Sequence, residues 1–336
     1  MSKKLFVNKE EILIQDILFK KTDICFKHID FDLFVKYASS HLLLPTIYVN
    51  LKQKKLLECI PKELKIFLKK IYEINKNRNI KLKKEVMEIS RFLKMHKINH
   101  VFIKGASYIF RRNLYDIGER MIGDIDVLVD INHYEDCIKS LKKFGYKKDN
   151  KIDDSLHIAY KHYPRMTKKK RLFALEIHSN YLRKNFKNIL SSREIIKNFE
   201  FGYENIKIPN LENKLHIAIY NYQINDFGFV KSTFSYKIIF DFYKILDFSG
   251  YKEDKISKNK FTRKFLDIFQ LLNTSYTKKK NKPNRFILKR KSSTYDFLDT
   301  KFSEFVLIPL FKIDFQRLLI DRIYREYIYK RIKSFF

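Results

Sequence analysis

The chain has 336 residues, 45% of them hydrophobic, with only 7 glycines and 6 prolines, which excludes a disordered or fibrous protein and leaves ample material for a buried core. No run approaches eighteen apolar residues and the opening "MSKKLFVNKEEILIQDILF" is charged throughout, so neither a transmembrane helix nor a signal peptide is expected, and the cytoplasm is the expected location. The formal charge of +32 is of the size that polyanion-binding proteins carry, but lysine, asparagine, isoleucine and tyrosine are all abundant while tryptophan is absent, as AT-rich coding would produce; charge alone therefore assigns no nucleic-acid partner.

From about residue 8 to residue 98 apolar residues recur at spacings of three and four, the pattern of packed helices. Pro61 fits the first turn of one of them, and the stripes Leu64, Phe67, Leu68, Ile71 and Val86, Ile89, Phe92, Leu93 are expected in the core. The pattern then changes. "NHVFIKG" reads as a strand ending in glycine, "ASYIFRRNLY" as a helix, "GDIDVLVD" as a strand, and "NHYEDCIKSLKKF" as a helix stopped by Gly145. "DDSLHIAYKHYPR" and "KRLFALEIHSNYL" read as two further strands joined through the basic turn "MTKKK". Helices return in "NILSSREIIKNF", "NLENKLHIAIYNYQI" and "FSYKIIFDFYKILDF", with "YENIKIPN" as an edge strand that Pro209 ends. The chain grows more polar from about 251, and its last stretch, "FKIDFQRLLIDRIYREYIYKRIKSFF", is a basic, aromatic helix. Docking on the body of the protein is its ordinary use; a weak membrane-surface contact is the alternative.

The chemistry concentrates in "GDIDVLVD". Alternate residues of a strand share a face, so Asp124 and Asp126 point the same way, about 7 Å apart. Like charges that close repel unless a cation lies between them. Glu176, in the apolar strand "FALEIHSN", supplies a third carboxylate if the two strands are neighbours. Three hard oxygen donors suit magnesium or manganese. Thiol ligands are not at hand, because Cys25, Cys59 and Cys137 are scattered. Some twenty residues upstream, Gly105 joins a strand to a helix, where backbone N–H groups, Lys104 and the Ser107 hydroxyl can face a phosphate, and Gly123 permits close backbone approach beside the acids.

Together, "FIKGASYIFRRNLYDIGERMIGDIDVLVD", "GYKKD", "LHIAYKH" and "ALEIHSNYL" resemble the uncharacterised nucleotidyltransferase family of the polymerase-β-like superfamily, and the similarity extends over roughly residues 10 to 250. The resemblance implies an α+β fold, a small mixed sheet flanked by helical regions. It divides the chain into an N-terminal helical region (1–98), the nucleotidyltransferase core (99–180), a helical acceptor-side region (181–250) and a basic C-terminal extension (251–336). It further implies that Asp124, Asp126 and Glu176 bind metal and act in catalysis. Lys104, Gly105, Ser107, Arg120, Gly123 and His178 would form the nucleotide side. The phosphate turn departs from the superfamily's Gly-Ser or Gly-Gly, since this chain has Gly105-Ala106-Ser107.

The implied reaction moves a nucleoside monophosphate from a nucleoside triphosphate, ATP among them, to a hydroxyl acceptor with release of pyrophosphate. Magnesium or manganese would be the cofactor. A small molecule, a glycan, a protein or an RNA end would each serve as acceptor. A non-catalytic basic protein that grips nucleic acid or a membrane surface is the alternative from another class. Around the acids, Arg120 either holds an anion or pairs with Asp116 or Glu119. His178 shares the face of Glu176, while His157 and His162, five apart, face opposite sides of a regular strand. His216 resembles a family position on the acceptor side, though a core histidine is its ordinary account; Lys237 and Asp241 stand four apart on a helix, a spacing that allows a simple pair, while the resemblance implies a place near the cleft for both.

Overall fold

The computed structural model describes residues 8–20, 23–148, 162–183, 186–231, 234–256 and 258–273. Four helices come first: α1 (Lys9–Phe19), α2 (Phe31–Ser40), α3 (Leu44–Gln53) and the 34-residue α4 (Lys62–Met95). Asp30 starts α2 by accepting from the backbone N–H groups of Asp32 and Leu33. Pro61 stands just ahead of α4 rather than within its first turn. The buried stripe of α4 runs through Leu64, Leu68, Asn75, Asn79, Leu82, Val86, Ile89 and Leu93. Phe67, expected in the core, is 40% exposed because it falls one residue off that stripe.

The sheet follows as β1 (His100–Ile103), α5 (Lys104–Phe110), β2 (Asp124–Val129), α6 (Tyr134–Lys143), β3 (Lys147–Lys148), β4 (Met166–Thr167) and β5 (Ala174–His178). Five strands lie in the order β1-β2-β5-β4-β3. The β2 and β5 strands are parallel, with Asp126 opposite Glu176 and Leu128 opposite His178. The other three pairings are antiparallel, so the sheet is mixed, as the α+β expectation requires. Helix α6 stops at Gly145, whose φ of +94° turns the chain while Tyr146 N–H reaches back to the Leu141 carbonyl. Helix α5 is shorter than its sequence suggests. It ends at Phe110, and the polar residues after it form a long loop in which Asn113 takes φ +61°. Most of "DDSLHIAYKHYPR" lies outside the described residues.

Beyond the sheet come α7 (Ser192–Lys197), a two-stranded ribbon of β6 (Phe199–Phe201) and β7 (Lys207–Pro209), and α8 (Leu211–Tyr220). The α8 helix widens into a π-helical turn, Asn221–Asn225, before α9 (Gly228–Lys231), α10 (Tyr236–Ser249) and α11 (Lys260–Leu272). The first and last helices share one core. Phe19 of α1 meets Phe240 and Tyr243 of α10 with ring centroids 6.2 and 5.5 Å apart, and Gln15 donates to the Leu272 carbonyl at 2.6 Å. Helix α11, in the region expected to be a polar extension, belongs to that body: Phe265 and Phe269 are fully buried against Phe242. The terminal basic helix expected after it lies outside the described residues. No described helix is long and apolar enough to cross a membrane.

Candidate active site

The register of β2 against β5 assembles the acidic cluster. Parallel pairing sets Asp126 beside Glu176, and a period of two puts Asp124 and His178 on the same face. Asp126 is the hub. Its Oδ1 receives Lys104 Nζ at 2.5 Å and His178 Nε2 at 2.8 Å. Glu176 Oε2 lies 4.0 Å from Lys104 Nζ, 3.7 Å from His178 Nε2 and 4.0 Å from His162 Nε2. The ring centroids of His162 and His178 are 5.0 Å apart, so His162 turns toward the cluster; His157 lies outside the described residues.

Burial sets the protonation states. It works against ionising Asp126, but Lys104 and the His178 hydrogen bond outweigh it and hold that carboxyl below its ordinary range. Burial likewise disfavours the Lys104 ammonium, and the carboxylates of Asp126 and Glu176 overcome it, leaving the lysine firmly charged. Burial drives His178 well below the usual histidine range, so the ring is neutral near pH 7 and its Nε2–H donates to Asp126. Among the described residues its buried Nδ1 has no hydrogen-bond partner. Asp124 is pushed upward by burial and by its neighbour Asp126, while Lys104, Arg165 and Lys237 pull the other way.

One ligand atom from each of Asp126, Glu176 and His178 lies within 4.8 Å of the others, close enough for one ion. The donor chemistry fits a divalent metal, and a cation, the Lys104 ammonium, already sits against its central oxygen. Asp124 is not in this tight group. It lines instead a cavity of about 210 Å³, together with Lys104, Gly105, Arg120, Gly123, Asp126 and residues of the opposite helical wall. Glu176 and His178 do not line that cavity; they lie behind Asp126.

The glycine turn is tightly built. Lys104 takes the left-handed φ of +51°, and a Cβ on Gly105 would come within 2.8 Å of both Arg120 Nη1 and Ile122. At Gly123 an added Cβ would meet nothing within 4 Å, so this glycine leaves cavity space and makes no close contact. Ser107 is buried, does not line the cavity, and donates its hydroxyl to the Lys104 carbonyl at 2.8 Å. It fixes the turn and presents no donor to the cavity. With α5 only seven residues long, little helix dipole is added there.

Arg120 pairs with neither Asp116 nor Glu119. Its Nε and Nη2 donate to the two oxygens of Asp241 on α10, each at 2.7 Å, and its guanidinium lies 4.7 Å from the Tyr108 ring centroid. Tyr115 adds a third bond to Asp241 at 2.6 Å. The loop carrying Arg120 is clamped by α4. Asn75 donates to the carbonyls of Gly118 and Arg120 at 2.7 and 3.1 Å, and Asn79 to those of Ile117 and Arg120 at 2.7 and 2.9 Å.

The opposite wall of the cavity comes from α8, the π-helical turn and α10. It presents Asn221 and Asp226, which do not stand out in the sequence, and Lys237, which the family resemblance places near the cleft. The Asp226 N–H reaches back five residues to the Asn221 carbonyl at 2.9 Å, and Asn221 Nδ2 donates to Asp226 Oδ2 at 2.9 Å. Burial lowers Lys237 to about 8, with Arg120 adding to the effect. His216 stacks on Tyr220 at 5.9 Å and does not line the cavity. A sequence model described as an uncharacterised nucleotidyltransferase matches residues 27–278. No curated protein matches the chain.

Proposed function

Because the chain belongs to the uncharacterised nucleotidyltransferase family, we propose that it transfers a nucleoside monophosphate from a nucleoside triphosphate to a hydroxyl acceptor, releasing pyrophosphate. The observation that carries this reading is the cluster of Asp126, Glu176 and His178 on one face of two neighbouring parallel strands, with Asp124 and the Gly105 turn on the adjoining cavity wall.

Asp126 and Glu176 would hold magnesium or manganese, with His178 orienting Asp126 through its Nε2–H and Asp124 serving ions that enter with the nucleotide from the cavity side. Bound there, a divalent ion supplies charge neutralisation for the phosphates and acidifies an acceptor hydroxyl. The chain's own residues do the positioning. Gly105, which lines the cavity, lets the turn pack directly against Arg120 and Ile122, where any side chain would clash. Lys104 and Lys237 bring two positive charges to a cavity that must take a polyanion. Arg120 contributes structure: with both forks held by Asp241, it braces the turn from behind and joins the core to the acceptor-side helices. An acceptor hydroxyl entering from the side of Asn221 and Asp226 would meet the α-phosphorus in line with the departing pyrophosphate.

The test is incubation with each labelled nucleoside triphosphate and magnesium, reading pyrophosphate release and label transfer to the protein or to added acceptors. Release by the wild type and its loss in the double variant Asp124→Ala, Asp126→Ala is the expected result. Equal release by both proteins overturns the reading.

A further inference from the structure

Asp126 and Glu176 are the two carboxylates of the ligand group, and the ammonium nearest to both belongs to Lys104, 2.5 Å from one and 4.0 Å from the other. We infer that Lys104 is a resident counter-cation that occupies the metal seat of the free protein and gives it up only when a triphosphate offers its ammonium a new partner. The inference rests on the nucleotidyltransferase reading and adds to it an order of loading: metal and nucleotide enter together, and free metal is held poorly.

Three features of the chain support this. Ile103, the last residue of β1, pairs with Asp126, so the next side chain starts directly beside that carboxylate. The left-handed backbone of Lys104 turns the chain sharply there, and its ammonium reaches Oδ1. Second, among the described residues Lys104 is the one lysine or arginine whose charged nitrogen contacts Asp126, the carboxylate's other contact being the ring nitrogen of His178. A carboxylate with a side-chain exposure of 3% needs such a partner whenever no metal is bound.

Third, the pairing is of a kind that can be exchanged. A lysine makes a single point contact at the end of a flexible stem, unlike the two-pronged grip of arginine. Lys104 also lines the cavity, with its side chain 20% exposed, so its ammonium has open space on the side that Gly105 lines. A divalent ion and an ammonium cannot share Asp126 Oδ1, since unit charges a few ångströms apart in a poorly solvated site repel strongly. Metal binding therefore requires Lys104 to leave, and leaving is favourable only when another anion receives it. The result is positive coupling between the metal and the nucleotide.

Manganese binding, followed by the loss of the free-ion electron paramagnetic resonance signal, tests the assignment without any turnover. The proteins are the full-length wild type, Lys104→Met, Lys104→Arg and Asp126→Asn, each checked for folding by circular dichroism, with and without a non-hydrolysable ATP analogue. Lys104→Met is expected to bind free manganese about tenfold or more tighter than wild type, the range usual for coupled sites. Lys104→Arg, which keeps the charge, stays as weak as wild type. The nucleotide tightens manganese binding by a smaller factor in Lys104→Met than in wild type. Equal or weaker free-manganese binding by Lys104→Met, with binding lost in Asp126→Asn, overturns the role of Lys104 alone. Equal binding by wild type and Asp126→Asn removes the metal seat itself and takes both readings with it.

Discussion

Two buried ion pairs flank the cavity, and they are built to opposite specifications. Arg120 and Asp241 join through two hydrogen bonds of 2.7 Å, with Tyr115 on the carboxylate and Tyr108 under the guanidinium. Both carboxylate oxygens and two of the three guanidinium nitrogens are bonded, and the pair locks the core to α10 across 121 residues of sequence. Lys104 and Asp126 meet through one contact on one oxygen, which His178 shares, with Glu176 nearby and open cavity on the other side. The difference teaches where this fold spends rigidity: the pair that holds two regions together has both carboxylate oxygens saturated, and the pair at the candidate chemistry rests on one oxygen beside the cavity.

Breaking the saturated pair has the largest expected effect. Arg120→Ala or Asp241→Ala leaves a buried charge alone and should cost about 3–5 kcal/mol of stability, read as a fall in the urea midpoint. Near-wild-type stability in either variant would mean that water already reaches the pair.

Gly105→Ala attacks the point where the two pairs approach each other, because the new methyl would run into Arg120 Nη1 and Ile122. Overpacking of this kind costs about 1–3 kcal/mol, and triphosphate binding measured by calorimetry should weaken with it.

Lys237 sharpens the contrast from the other side, as a cavity cation that folding disfavours. Its pKa falls from 10.5 to about 8, so between those values the unfolded chain binds more protons, and stability contributed at this residue rises with pH through that window. Below pH 8 the charged lysine is a net cost. Lys237→Met should therefore stabilise the protein at pH 7 by about 1–2 kcal/mol, with the gain vanishing as pH approaches 10.5 in parallel denaturation curves.

The exchangeable pair should yield less than the Arg120 pair. Lys104→Met takes the charge partner from a buried carboxylate but leaves the His178 hydrogen bond and a cavity on which Asp126 opens, so a loss of about 1–3 kcal/mol of stability is expected. A loss as large as that of Arg120→Ala would show that Lys104 is fixed in place.

Much of the acidic wall was legible in the sequence. Strand alternation alone puts Asp124 and Asp126 on one face, and the apolar flanks of Glu176 mark a neighbouring strand, which the Asp126–Glu176 register realises. The short-range reading of Arg120 was not adequate. Asp116 and Glu119 lie within a few residues of Arg120, whereas its partner is Asp241, which the sequence offers instead as a helical neighbour of Lys237. Pairings at such separation leave no trace in local pattern. The asparagine clamp left a faint one. Asn75 and Asn79 continue the buried stripe of α4, and a polar residue standing where a leucine is due signals a carbonyl to be bonded. Reading "RRNLY" as helix failed because apolar spacing says nothing about the loop geometry that Asn75 and Asn79 impose on the residues after it.

The widened turn at Asn221–Asn225 has a genetic corollary. A π-helical turn amounts to one surplus residue in an otherwise regular helix, and each residue of an α-helix advances the azimuth by about 100°. Deleting any single codon of this stretch would restore regular winding and rotate Asp226 from the cavity rim, where it stands beside Asn221, without altering a single charge. Insertions and deletions here would thus be far less neutral than ordinary substitutions on the same surface.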